Sequence, residues 1–398
     1  MIHIVSKVSQ HKALTSFPIP DEYVNHLLDN NLCSTLASLR DPITLEQFPQ
    51  IFDCKLVPLN KVHPQVPSVH QMRPIVATNV LFKILELRFS DELHNKFWNL
   101  GGFALSQFWF LGNMSTQAQI FNLLNQVTQG WNRPTGKKLH RHVSSQLQEQ
   151  VRYNPLHNYI IFVDFKEAYN SINMSLLFER MKKDKILKNA ELVFLFMIYS
   201  KLVIKLEKES FIPKNCVPQG GINSPILFNF AMYYFLSETS EIINRRLRAY
   251  CGLPNLPDPM TPKRNFLWAD DLASLLQTHP NRAKDWIKVY FEVLIDVGEK
   301  WGLSINFNKS AVMDFFSHKT CHDHLSDHKT AWDKKKGAEL KLDILVKGKK
   351  TTIIIPLVTK YKYLGIMISR DLTPHAHFLA LKKKKVKSNR LLLLGGSS

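Results

Sequence analysis

The apolar positions of this chain fall into two periods. Leu56 to Lys61 and Arg73 to Ala77 read as strands framing a polar, proline-bearing turn from His63 to Gln71. Tyr159-Ile160-Ile161-Phe162-Val163 is an unbroken apolar run that ends on Asp164. A short run of that kind predicts a buried strand, and the residues after it pass into an amphipathic helical pattern. From Leu81 to Trp98 the spacing is helical, with Leu81, Ile84, Leu85, Phe89 and Leu93 on one side. Gly112 to Ile120 carries a capped helix start. Val217 to Asn223 holds a glycine turn, followed by Ser224 at an N-cap and Pro225 at the first helical position. Phe266 and Leu267 lead into Trp268-Ala269-Asp270-Asp271, predicted as a hairpin with the acid pair at its tip. A further hairpin is predicted from Leu340 to Leu345 and Thr351 to Ile355.

These elements imply an α+β fold, because strand and helix signals alternate from Asn158 to about Phe316 as they do when helices pack on one face of a sheet. The stretch from Gly130 to Pro155 turns polar and basic (Lys137, Lys138, Arg141, Arg152) and reads as a loop. His318 to Lys350 is charge-rich and reads as an insertion containing the second hairpin.

Composition narrows the function. With 398 residues and 45% hydrophobic content the chain can build two or three subdomains around real cores. A net charge of +19 implies a polyanionic partner, since neutralising phosphates releases counterions. A basic ribosomal or membrane-surface protein would share that charge. The five cysteines are widely separated and form no CxxC pair, so neither a disulfide framework nor a cysteine zinc knuckle is indicated, and a reducing compartment fits. Cys321-His322-Asp323-His324, with His318 and His328, matches no standard zinc spacing and reads as a solvated loop. The longest strongly apolar run, Leu192 to Ile198, is followed by Lys201 and falls short of the roughly 18 residues of a membrane span. No membrane partner is expected. No secretory signal is visible, so the expected location is intracellular, nuclear or cytoplasmic.

Adjacent acids repel, so Asp270-Asp271 needs compensation from a metal or from solvent. Successive side chains of a strand point to opposite faces, and both acids can serve one site only if the backbone turns between them. Taken alone the pair fits a solvated surface turn as well, and Asp164 alone fits a helix N-cap. Their order with the other segments decides between these readings. Asp164 is followed by Phe165-Lys166-Glu167-Ala168-Tyr169-Asn170, then Gln219-Gly220-Gly221, then the acid pair. Trp301 to Asn306 with Asn308-Lys309-Ser310 comes next, and last Tyr361-Lys362-Tyr363-Leu364-Gly365-Ile366.

That series resembles motifs A to E of the palm of a reverse transcriptase, over about Val57 to Ile368. Arg73-Pro74-Ile75 followed by Asn79 to Glu86 is similar to the fingers segment of the non-LTR, LINE-type retrotransposon branch. Two positions depart from the family pattern: Trp268 stands one residue before Ala269 where an aromatic Phe or Tyr is usual, and Asn170 closes motif A in place of Asp.

The resemblance implies a right-hand polymerase with fingers and palm, an antiparallel palm sheet backed by helices, and a thumb that is incomplete or absent. The implied division is an N-terminal extension at 1–55, fingers at 56–157 and palm at 158–316, then an insertion with a primer-grip hairpin at 317–368 and a basic tail, the start of a truncated thumb, at 369–398. It implies RNA-directed DNA polymerisation: a 3′-oxygen attacks the α-phosphate of a deoxynucleotide, with charge developing on the attacking and leaving oxygens. Two Mg²⁺ ions about 3.5 to 4 Å apart stabilise both ends, and Mn²⁺ can substitute. The implied ligands are Asp164, Asp270, Asp271 and the carbonyl of Phe165. Tyr169 lies under the incoming sugar as a wall against a 2′-hydroxyl. Gln219 and Gly220 approach the template, Lys61 and Arg73 contact the triphosphate, and Lys309 is the candidate general acid at the leaving pyrophosphate. Tyr363, Leu364 and Gly365 belong to the primer grip. The implied partners are an RNA template, a DNA or RNA primer and dNTPs; the oligomeric state is not implied. A non-catalytic nucleic-acid-binding palm scaffold and a group II intron maturase are the competing readings, and retention of three repelling carboxylates favours the polymerase over the scaffold.

Overall fold

The computed structural model describes residues 49–60, 66, 72–100, 115–131, 157–206, 209–213, 217–251, 264–278, 280–315, 338–370, 372–374 and 377–382. Lys61 and its turn, the basic loop after residue 131, the segment around Cys321 and the lysine run after Lys382 lie outside the described residues.

In chain order, a 3-10 turn at Pro49–Phe52 precedes β1 (Asp53–Asn60), β2 (Met72–Ala77), α1 (Val80–Asn99), α2 (Thr116–Trp131), β3 (His157–Val163) and β4 (Phe165–Lys166). Then come α3 (Ala168–Ser171), α4 (Met174–Lys183), α5 (Asn189–Ser200), β5 (Val203–Leu206), β6 (Glu209–Phe211) and α6 (Ser224–Cys251). The remainder is β7 (Asn265–Trp268), β8 (Asp271–Thr278), α7 (Pro280–Trp301), β9 (Ser304–Ile305), β10 (Ala311–Phe315), β11 (Ala338–Val346), β12 (Lys349–Leu357), β13 (Lys360–Tyr363) and β14 (Ile366–Ser369). The chain divides into two compact units, residues 1–101 with 167–234, and residues 102–166 with 235–398.

The first unit carries a four-stranded sheet in the order β2-β1-β5-β6. β1 pairs antiparallel with β2, from Lys55 opposite Ala77 to Asn60 opposite Met72. It starts at Asp53, earlier than its apolar pattern implies, because Asp53 to Lys55 pair in parallel with β5. The helix α1 begins where Asn79 accepts a hydrogen bond from the Leu81 N–H at 2.9 Å, an N-cap that satisfies an otherwise orphaned donor. Its Phe82, Phe89, Leu93 and Phe97 are fully buried at helical spacing. Phe82 meets Tyr199 edge-on, and Phe97 meets Phe230 edge-on at 4.8 Å between ring centres.

The second unit is built on a six-stranded sheet in the order β11-β12-β10-β3-β8-β7. β3 is its centre, antiparallel to β10 on one side and β8 on the other. Ile160 and Phe162 share one face with Ala273, Leu275, Met313 and Phe315, where Ile120, Leu123 and Val127 of α2 pack together with Tyr363 and Ile368. The opposite face is covered as well: Ser274, which points away from Ala273 and Leu275, shares a 2.8 Å hydrogen bond with Tyr290 of α7. Helices therefore cover both faces where the sequence pattern implied one. The reason lies in β3, whose Tyr159 to Val163 are all buried and leave no polar face for solvent. The hairpin β11–β12 does not stand apart as a loop insertion; Leu357 of β12 pairs in parallel with Val312 of β10 and extends the sheet. Among the described residues no helix is long and apolar enough to cross a membrane.

Candidate active site

The three acids singled out by sequence lie at one end of the second unit's sheet. Asp164 directly follows β3, while Ala269 and Asp270 make the two-residue turn between β7 and β8, with Trp268 opposite Asp271 as the last pair. Because Val163 pairs with Leu272, the next step of the antiparallel register brings Asp164 opposite Asp271. Ala269 is buried and holds φ at 56°, a conformation that costs a non-glycine residue about 1–2 kcal/mol. Strain of this kind persists only where the surroundings over-determine it; here β8 is held by β3 on one side and by β7 on the other.

The electrostatics follow from that crowding. Burial pushes the Asp271 carboxyl up to about 6, helped by repulsion from Asp270 and Asp164 and opposed by Lys309. Asp271 itself stands exposed at the start of β8, so water screens part of that effect. Asp164 is also raised, first by burial and then by Asp270, against the pull of Lys309 and a hydrogen bond from Asn306.

The turn from Asn306 to Ser310 cradles Asp164. The Asp164 N–H donates to Ser310 Oγ at 3.2 Å, and its carbonyl accepts from the Asn306 N–H at 2.8 Å. Ser310 Oγ in turn donates to the Asn306 carbonyl at 2.9 Å. This places Lys309 Nζ 4.0 Å from Asp164 Oδ2, with 71% of the lysine side chain still exposed. An ammonium so hydrated compensates the acids only in part. Three carboxylates crowded around one weakly held cation form a set of hard oxygen donors short of positive charge, which fits a divalent cation such as Mg²⁺. Among the described residues no group of three His, Cys, Asp or Glu side chains is placed to hold a metal ion by itself.

Two tyrosines tie the β13–β14 hairpin to this end of the sheet. Tyr363, buried, donates its hydroxyl to the Phe266 carbonyl at 2.9 Å. Tyr361 stacks on Phe162 at 4.0 Å and donates to the Lys309 carbonyl at 3.0 Å. Burial, with Asp164 and Asp271 nearby, pushes its phenol up to about 12. Leu364 and Gly365 both have positive φ, as a two-residue hairpin turn requires. Phe165 pairs with Ile305 through β4 and β9, its ring edge-on to Phe235 at 5.8 Å. Sequence reasoning placed Tyr361 in the hairpin without a role of its own, and it left Asn306 and Ser310 unassigned; nothing in their spacing announces that they hold Asp164.

The other candidates belong to the first unit. Tyr169, 8% exposed, lies in α3 and stacks on Phe228 at 4.0 Å, while its carbonyl accepts from the Val217 N–H at 2.9 Å. Arg73 is exposed on β2 opposite Leu59. Gln219 accepts from the Val76 N–H at 2.7 Å, which lays the glycine turn against β2. Gly220 has φ 126°, and a Cβ there would be driven into the Val76 carbonyl oxygen. A Cβ on Gly221 would stand 2.5 Å from Ser224 Oγ and 2.9 Å from Glu86 Oε1. Both glycines are thus required by close approach and not only by the turn.

Glu86 is the residue that the sequence reading missed. It is fully buried, yet Tyr199 donates a short hydrogen bond to its Oε1, Ile222 N–H donates to Oε2 at 2.9 Å, and Asn223 N–H donates to Oε1 at 3.2 Å. Its own carbonyl accepts from Asn223 Nδ2 at 2.6 Å. One carboxylate therefore fixes the strand of chain that follows the Gln219-Gly220 turn. A signal was present: Glu86 occupies the same helical stripe as Phe82, Phe89 and Leu93, where an ionisable residue is out of place.

The family described as reverse transcriptase (RNA-dependent DNA polymerase) matches residues 61–368. No curated protein matches the chain. Among solved structures the chain is similar to an apo telomerase from Candida tropicalis truncated from its C-terminal domain, at 15% identity and a TM-score of 0.44. That similarity covers 82% of this chain and 55% of the other, so the chain spans about half the length of that structure.

Proposed function

This chain belongs to the reverse transcriptase (RNA-dependent DNA polymerase) family, and from that membership we propose that it adds deoxynucleotides to a primer 3′ end on an RNA template, as an enzyme of non-LTR, LINE type. The observation that carries the reading is the meeting of Asp164 with the Asp270-Asp271 turn across β3 and β8, beside Lys309. The LINE assignment is supported by Arg73-Pro74-Ile75 and the helix segment Asn79 to Glu86.

In this reading the six-stranded sheet serves as the palm and the sheet of β1, β2, β5 and β6 as the fingers. Asp164, Asp270, Asp271 and the Phe165 carbonyl would hold two Mg²⁺ ions, which when bound neutralise charge on the attacking and leaving oxygens. Asn306 and Ser310 keep Asp164 at the end of β3, so that the acid does not swing away under repulsion from its neighbours. Lys309 holds a proton at Nζ that it can deliver to the leaving pyrophosphate. Tyr169 limits the sugar to one without a 2′-hydroxyl, its ring angle set by the stack on Phe228. Tyr363, Leu364 and Gly365 position the primer end, where a small misplacement of the attacking oxygen is costly in rate. Arg73, with Lys61, receives the triphosphate through a forked guanidinium suited to phosphate.

Primer extension on an RNA template with dNTPs and Mg²⁺ tests the proposal. A product that requires template and dNTPs supports it; RNA binding with no extension under any divalent cation would favour the scaffold reading.

A further inference from the structure

The first unit has an open cleft of about 890 Å³ between the end of α1 and the junction of α4 with α5. Five lysines line it: Lys96, Lys182, Lys183, Lys185 and Lys188. Two carboxylates, Glu92 and Glu179, also face it. All five lysines are exposed, and among the described residues none of them is ion-paired. Five ammonium groups against two carboxylates give the concavity a net positive potential, which attracts a polyanion.

Local backbone physics makes the gathering harder to dismiss as a solvated face. The α4 C-terminus closes as a Schellman motif: the Lys185 N–H donates to the Lys182 carbonyl at 3.2 Å and the Ile186 N–H to the Met181 carbonyl at 3.0 Å, with Met181 and Ile186 both buried. The left-handed position of that motif normally holds glycine, and here it holds Lys185 at φ 52°. Three residues on, Lys188 is the N-cap of α5 and makes no capping bond, in a place that favours Ser, Thr, Asp or Asn and repels positive charge. Two positions that break local preference both carry lysine, and both lysines face the same cleft.

We propose that this cleft is a second nucleic-acid site, one that grips the phosphate backbone of RNA without reading sequence. Inside the cleft the apolar lining residues, Ile186 and Leu187, are buried and offer a lipid surface no anchor there. The choice of RNA as the polyanion rests on the polymerase reading; the site itself rests on the lysines.

The test uses the full chain and an unprimed, fluorescently labelled single-stranded RNA, with affinity followed by anisotropy as salt is varied. The double variant Lys185→Gly/Lys188→Ser removes two charges while relieving two local penalties, so its melting temperature should rise above the parent's. Its log-affinity against log-salt slope should fall by about 0.7 per lysine, the single-strand value, and so by about 1.4. Extension of a short primed template should match the parent's. The second variant, Lys182→Gln/Lys183→Gln, leaves the strained turn alone and should lower the slope by a similar amount. RNA affinity and slope unchanged in both variants would overturn the proposal. So would a loss confined to phosphatidylserine vesicles, which would assign the cleft to a membrane. A parent that binds RNA through the cleft yet extends no primer would sink the polymerase reading and leave the cleft assignment standing.

Discussion

Replacing Glu86 probes how far a buried carboxylate governs the glycine turn. In Glu86→Ala the Tyr199 hydroxyl and the Ile222 and Asn223 amides lose their acceptor. Each buried donor left without a partner costs about 1–3 kcal/mol. Water entering the vacated space and relief of the buried charge offset part of that sum, so the expected loss is about 3–5 kcal/mol. Glu86→Gln keeps one acceptor oxygen and turns an amide NH₂ toward at least one former donor, an expected loss of about 1–3 kcal/mol. Burial raises the Glu86 pKa above its ordinary value, which gives the difference a pH signature. The folded state then holds a proton that the unfolded chain has released, so this contribution is fully present below the ordinary carboxylate value and is lost as pH rises through the folded one. Parent stability relative to Glu86→Gln should decline with rising pH across that window. Denaturant unfolding reads the stability, and hydrogen exchange at the Ile222 and Asn223 amides reads its location; a local loss of 1.4 kcal/mol speeds their exchange about tenfold. If Glu86→Ala unfolded within about 0.5 kcal/mol of the parent, as an ordinary surface change does, the carboxylate would not be holding the turn.

Three further outcomes follow from the same geometry. Gly220→Ala meets the Val76 carbonyl at a φ of 126°, and should weaken template binding and reduce stability by about 2–4 kcal/mol, the combined scale of a glycine-only conformation and one lost backbone hydrogen bond; a variant matching the parent in both would refute the close approach. Tyr169→Val should raise the ratio of CTP to dCTP incorporation opposite a template G, read as kcat/KM; an unchanged ratio in an active variant would make the Tyr169–Phe228 stack a core contact only. Lys309→Met should lower kcat by about 10²-fold with little change in KM if it supplies a proton to the leaving group, and a loss confined to KM would make it a binding residue.

Much of this was legible in the chain because the signals were local. Val163-Asp164 marks a strand running into an acid, and Trp268 to Asp271 marks a hairpin tip; both follow from period and turn length alone. What stayed hidden depends on partners distant in sequence. The apolar run of β3 cannot say that α2 and α7 cover its two faces, and Leu340 to Ile355 could not be distinguished from a peripheral hairpin until β12 met β10. Ser310 and Asn306 look like ordinary turn residues, and only the fold brings them to the backbone of Asp164. Glu86 was readable in principle as an acid in an apolar stripe, but its partners, Tyr199 and Ile222, lie more than a hundred residues away.

The central claim is that Asp164, Asp270 and Asp271 together perform nucleotide addition. Its most direct test is primer extension on a primed RNA template with dNTPs and Mg²⁺, comparing the parent with Asp270→Asn, while template affinity is measured on the same preparations. Asp270→Asn removes one ligand charge and touches none of the basic surface, so extension should be abolished and affinity should stay close to the parent's. Extension by Asp270→Asn at anything near the parent rate would contradict the assignment of this turn as the catalytic centre.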